Sequence, residues 1–119
     1  MRLTLLILFI CISAITVSAQ NANTKVGKLD NSKPLILTHA ACGECKLGLK
    51  GKSCDLAVRI NGKSYFVDGV HIDSLGDAHA KDGFCNSIRK AQVQGEIKND
   101  RFVASYFYLL PSSAKKKLK

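Results

Sequence analysis

The chain has 119 residues, of which 46% are hydrophobic and 23% charged, with a formal charge of +9 and five cysteines. This is room for one small domain, and the balance of apolar and charged residues excludes both a multidomain protein and a wholly disordered one. Lys115, Lys116, Lys117 and Lys119 crowd the C-terminus, so the remainder of the chain is only mildly basic.

In chain order, Arg2 precedes an apolar run from Leu3 to Ile12, and Val17-Ser18-Ala19 closes it with small residues. This is the pattern of a secretory signal peptide over residues 1–19, cleaved near Ala19-Gln20. The run is short of the roughly 20 residues that a spanning helix needs, so no stable membrane span is expected after cleavage. Cys11 leaves with the leader. Four cysteines then remain in a chain expected to be exported, periplasmic or secreted, where disulfides persist. Residues 20–34 are polar and read as an exposed linker.

The main domain is expected over residues 35–110. Leu35-Ile36-Leu37-Thr38 suits a first strand, leading to Cys42-Gly43-Glu44-Cys45. Gly48 and Gly51 among three lysines then suggest a mobile loop up to Cys54. Leu56, Val58 and Ile60 alternate with polar positions as in a half-buried strand. Asn61-Gly62 suits a type I′ turn, and Lys63 to Val67 returns as the second arm of a hairpin. Asp68 to Lys81 has no clean period and reads as a loop. Asp82 is placed to cap a short helix reaching Lys90, with Phe84 and Ile88 on one face. Alternation resumes over Ala91, Val93, Gly95 and Ile97. After a turn at Asn99-Asp100, a last strand runs to Leu110, with Val103, Phe107 and Leu109 as its inner set. Residues 111–119 form a basic tail suited to anionic surfaces.

Five strands with a short helix between the third and fourth give a mainly β fold, a small OB-like barrel or β-meander. Tyr65, Tyr106 and Tyr108 beside Arg59 and Lys63 resemble a nucleic-acid face, but covering sheet surface is the plainer role. No nucleic-acid partner is expected.

The chemistry is concentrated in Cys42, Cys45, Cys54 and Cys85. Two structural disulfides are the first expectation, and four cysteines allow three pairings with nothing in the spacing to choose among them. The alternative is a soft metal, zinc or copper, held by the four thiolates together with His79. His71, Asp73, Asp77 and His79, in a His-x-Asp-x-x-x-Asp-x-His arrangement, are further candidate ligands, against the blander reading of a solvated loop. Thiol redox work through Cys42 and Cys45 is a third possibility. It lacks the βαβ pattern and the helix that thioredoxin-type motifs need. There is no phosphate-cradling glycine loop, serine elbow or zinc-protease motif, and no catalytic residue is assigned.

With Cys42-Gly43-Glu44-Cys45, Cys54-Asp55-Leu56-Ala57-Val58-Arg59-Ile60, Gly76-Asp77-Ala78-His79 and Gly83-Phe84-Cys85 in view, the chain resembles a family of small exported, cysteine-containing, mostly bacterial proteins of uncharacterised function. The resemblance implies no activity. It treats the four cysteines and His79 as a set. The expectation is therefore a non-enzymatic exported β module with cysteines that are structural or metal-binding.

Overall fold

A computed structural model describes residues 24–112; the expected leader, its cleavage point and the lysine tail lie outside them. The elements are β1 (Lys25–Gly27), β2 (Ile36–Cys42), α1 (Gly43–Lys46), β3 (Leu56–Ile60), β4 (Lys63–Asp68), β5 (Arg89–Lys98) and β6 (Arg101–Leu109). The strands lie in the order β1-β6-β4-β3-β2-β5, and β5 also pairs with β6. That last pairing closes β2 to β6 into a five-stranded barrel. The β2-β3-β4 meander, the parallel β4–β6 pair and the antiparallel β5–β6 hairpin make the strand order of an OB-like fold. No helix among the described residues is long and apolar enough to cross a membrane.

Alternation builds the barrel interior. Leu56, Val58 and Ile60 of β3 pack with Ala40, Val67, Val93, Phe102, Phe107 and Leu109 in one core. The β3–β4 hairpin turns on Asn61 and Gly62, with φ of 49° and 81°. Asn99 and Asp100, at 51° and 60°, make the same left-handed turn before β6. Both match the type I′ geometry that follows strand twist.

Several elements differ from the sequence expectation. The short helix does not lie between the third and fourth barrel strands: it is α1, between β2 and β3. The stretch expected to be helical from Asp82 is a series of turns, because its backbone groups bond to distant partners. Cys85 N–H donates to Ala78 O, and Phe84 O accepts from Cys42 N–H at 2.9 Å. A helical ladder would have to give both up. Val103 is not an inner residue of β6 and is 38% exposed, whereas Phe102 is buried. The register of β5 against β6 shifts between Gln94 and Gly95, which face Tyr106 and Ala104 and leave Ser105 extra. Such a bulge swaps which alternate residues face inward, so Phe102 precedes it and Phe107 and Leu109 follow it.

Within the segment expected to be a linker, β1 pairs with β6. The residues after β1 are tied down by Gln94, which is buried at 1% exposure. Its Oε1 accepts from Asp30 N–H at 2.9 Å, and its Nε2 donates to Asp30 O at 2.7 Å and Lys33 O at 3.0 Å. A buried amide that loses its partners leaves costly unpaired groups behind. Gln94→Ala should lower stability by about 1–3 kcal/mol and speed hydrogen exchange at the Asp30 amide. Unchanged denaturant unfolding and exchange would show that the strap does not depend on this side chain.

Candidate functional site

Three chain segments meet at one end of the barrel, and each carries cysteine. β2 ends on Cys42, which is fully buried and packs into the barrel core. Cys54 stands just before β3, and Cys85 lies in the turn-rich segment between β4 and β5. Both pack against that same core. Backbone hydrogen bonds join the segments beside the sulfurs: Cys42 N–H donates to Phe84 O, and Gly43 N–H donates to Asp55 O at 2.8 Å.

The turn-rich segment plugs this end of the barrel with Val70, Ile72, Leu75, Ala78 and Phe84. Gly83 lets it fold back on itself, because a side chain there would strike the carbonyls of Asp77 and Ala78. Gly43 serves the Cys42 side in the same way. A Cβ on Gly43 would lie 2.6 Å from the Phe66 ring and 3.1 Å from Ala57.

The loop expected to be mobile is anchored. Leu47 is buried, and with Leu49 it packs on Ala41, Ala57 and Phe66, on the outer face of β2, β3 and β4. Gly43 O accepts from both Leu47 N–H and Leu49 N–H, at 3.2 and 3.0 Å. Glu44 fastens the far side of the loop. Its Oε2 accepts from Asp55 N–H at 3.0 Å and lies 3.5 Å from the Cys42 sulfur.

The sulfurs of Cys42, Cys54 and Cys85 all lie within 4.8 Å of one another. Those of Cys54 and Cys85 are 2.8 Å apart. Cys45 is outside this triad, but its thiol interacts with those of Cys42 and Cys54. Its amide also donates to the Cys42 sulfur at 3.4 Å. Burial, reinforced by hydrogen bonds with Cys42 and Cys85, pushes the Cys54 thiol far above its ordinary range. Hydrogen bonding to Cys42 raises Cys45, even though Cys45 is exposed. Redox and nucleophilic cysteines need the reverse, a lowered pKa that supplies thiolate.

Among the described residues no histidine or carboxylate lies close to all three sulfurs, although Glu44 reaches that of Cys42. His71 and Asp73 form a local exposed pair at 3.8 Å, and His79 and Asp77 another at 3.9 Å. Asp77 Oδ1 accepts from His79 N–H at 2.9 Å, the short-range bond of an Asx turn. Sequence reasoning missed Glu44 as part of the site. Its place inside Cys-x-x-Cys was visible, but its reach to Asp55 depends on how the loop folds.

The model of a family of unknown function, DUF6370, matches residues 36–110, from the start of β2 to just past β6. No curated protein and no solved structure matches the chain.

Partial burial opposes ionisation of Glu44. The hydrogen bonds that it accepts, first from the Asp55 amide, outweigh this and hold its carboxyl below the usual range. A lowered carboxylate stabilises the fold above its unfolded pKa, and that contribution disappears as pH falls through the folded value. Thermal stability of the native protein should therefore drop between about pH 5 and 3 more steeply than that of Glu44→Gln. Parallel pH profiles of the melting temperature would remove Glu44 from this role.

Proposed function

The chain belongs to the DUF6370 family, whose function is unknown, and we propose that it is an exported, non-enzymatic metal-binding module. Its cargo is a soft cation, Zn²⁺ or Cu(I), held by Cys42, Cys54 and Cys85 with Cys45 at the entrance. The supporting observation is that three sulfurs from three separate segments share one point at the barrel end. Disulfides join sulfurs in pairs and need no third at the same place. A thiolate cage does need several, and an all-sulfur donor set favours soft metals over Mg²⁺ or Ca²⁺. Export rests on the leader-like sequence of residues 1–19.

Loading has a proton cost set by the raised thiols. Cys54 and Cys45 hold their protons at neutral pH, so a metal must displace them and affinity must rise with pH. This arrangement favours binding over catalysis at Cys54 and Cys45, whose raised thiols are the reverse of an activated nucleophile.

One observation favours a second reading. At 2.8 Å, the Cys54 and Cys85 sulfurs lie within an ångström of the roughly 2.05 Å of a disulfide. An oxidant of the exported compartment, a disulfide-exchange partner that is itself reduced to two thiols, would take the two hydrogens and join the plug to the residues before β3, which is the structural role.

Purification of the mature chain, after loss of residues 1–19, from its exported compartment without reductant, followed by parallel thiol and metal assays, separates these readings. The metal reading expects one equivalent of zinc or copper and four thiols titratable after denaturation. Two missing thiols and no metal would favour the cross-link and reject the metal site. Four free thiols that take up neither metal on reconstitution would reject both. For the loaded protein, affinity should fall by about tenfold for each unit by which pH is lowered, per displaced proton. Cys85→Ser should abolish stoichiometric binding and lower the melting temperature by several degrees.

A further inference from the structure

A groove of about 540 Å³ on the barrel wall is lined by His39, Arg59, Ile88, Arg89, Lys90, Leu110, Pro111 and Ser112. Its electrostatics follow from strand register. His39 of β2 lies directly opposite Arg59 of β3 on one side and Lys90 of β5 on the other. Residues directly opposite share a sheet face, with Cβ atoms about 5 Å apart. Three adjacent strands therefore present Arg59, His39 and Lys90 in one row. All three are exposed, and none pairs with a carboxylate among the described residues.

Arg59 and Lys90 stand on either side of His39, two strand spacings or about 10 Å apart, so this face carries two positive charges that an anion seated between them would offset. Arg89 is differently placed. It donates to Asp82 O at 2.7 Å and Leu110 O at 2.9 Å, and its guanidinium is 3.8 Å from the Asp82 carboxylate. It holds the groove wall in shape and adds little free charge. Beside the cations, Ile88 is 48% exposed and stands with Leu110 and Pro111 as an apolar wall. The groove has the size of a small-molecule site and a division into charged and apolar halves.

We propose that this groove binds a small organic oxyanion, a carboxylate or phosphate monoester on an apolar body. Arg59 and Lys90 take the oxyanion, and Ile88, Leu110 and Pro111 cover the body. Arg59 supplies a planar donor fork for two oxygens and Lys90 a mobile point charge. The site is independent of the thiols, and its occupancy does not require a metal.

Calorimetric titration of the full chain with phenyl phosphate, benzoate, inorganic phosphate and phenol tests this at fixed salt. Saturable binding is expected for phenyl phosphate or benzoate, and the tighter of the two identifies the head group. Phenol should not bind, and inorganic phosphate should bind more weakly than phenyl phosphate. Arg59→Gln and Lys90→Gln should each weaken binding by about tenfold or more, while the charge-matched control Lys28→Gln should not. The unliganded melting temperatures of both variants should be unchanged or higher at low salt, since each removes a like charge, and the ligand-induced rise in melting temperature should be lost. Three outcomes would overturn the proposal: no saturable binding by either organic anion, equal binding by inorganic phosphate, or an equal loss in Lys28→Gln.

Discussion

Two backbone hydrogen bonds hold the thiol end of the barrel together: Cys42 N–H to Phe84 O and Gly43 N–H to Asp55 O. The first ties the plug between β4 and β5, which contains neither helix nor strand, to the end of β2, and the second ties the start of α1 to the residue before β3. The plug's buried residues belong to the barrel core, so these bonds and that apolar contact support each other. The sulfurs converge as a consequence. Cys42 and Cys85 follow from the first bond, because Phe84 precedes Cys85. Cys54 follows from the second, because it precedes Asp55. Cys42, Cys54 and Cys85 are thus brought together by the fold itself, and any bond or metal would add to an arrangement already formed.

The parts of this structure that were legible in sequence are those set by local periodicity. Leu56, Val58 and Ile60 fall inside the barrel and Asn61-Gly62 turns the hairpin, because two-residue alternation and positive φ are local properties. The inner face of β6 was legible only beyond the bulge, where Phe107 and Leu109 are buried as expected, and not at Val103. It depends on the extra residue Ser105, and nothing in Arg101 to Leu109 marks where the alternation changes phase. The supposed helix from Asp82 failed for a related reason: its local signals were sound, but Phe84 and Cys85 make tertiary hydrogen bonds instead. In the Cys45 to Cys54 loop, the glycines and lysines drew attention from Leu47 and Leu49, whose packing surface is formed by strands distant in sequence. The cysteines were legible as a set but not as a geometry, since three segments had to be docked before their spacing had meaning.

The environment of two of the thiols, Cys54 and Cys45, opposes ionisation. Burial raises Cys54, and hydrogen bonding to Cys42 raises Cys45. A site built to attack a substrate would surround a sulfur with cations or place it at a helix that stabilises thiolate. Here the nearest charged side chain identified by hydrogen bonding is Glu44, an anion that accepts from Cys42. Raised thiols hold their protons, and because oxidation proceeds through thiolate, Cys54 and Cys45 are the less open to casual oxidation.

The position of the cysteine loop also bears on what the barrel can bind. OB folds commonly take ligands on the face of their second and third strands, beside the loop that joins the first two. In this chain those strands are β3 and β4, and that loop carries Cys45. Leu47 and Leu49 press it onto Ala57 and Phe66, on the outer face of the same strands. The surface that would stack bases is thereby covered by the protein's own chain, and Arg101 lies over the Phe66 ring at 5.5 Å. Uncovering that face would separate Leu47 from Ala41 and Ala57 and strain the Gly43 hydrogen bonds that fix Cys42. In this fold the Cys45 loop occupies the same surface, Ala57 and Phe66, that a ligand bound in the usual OB manner would take.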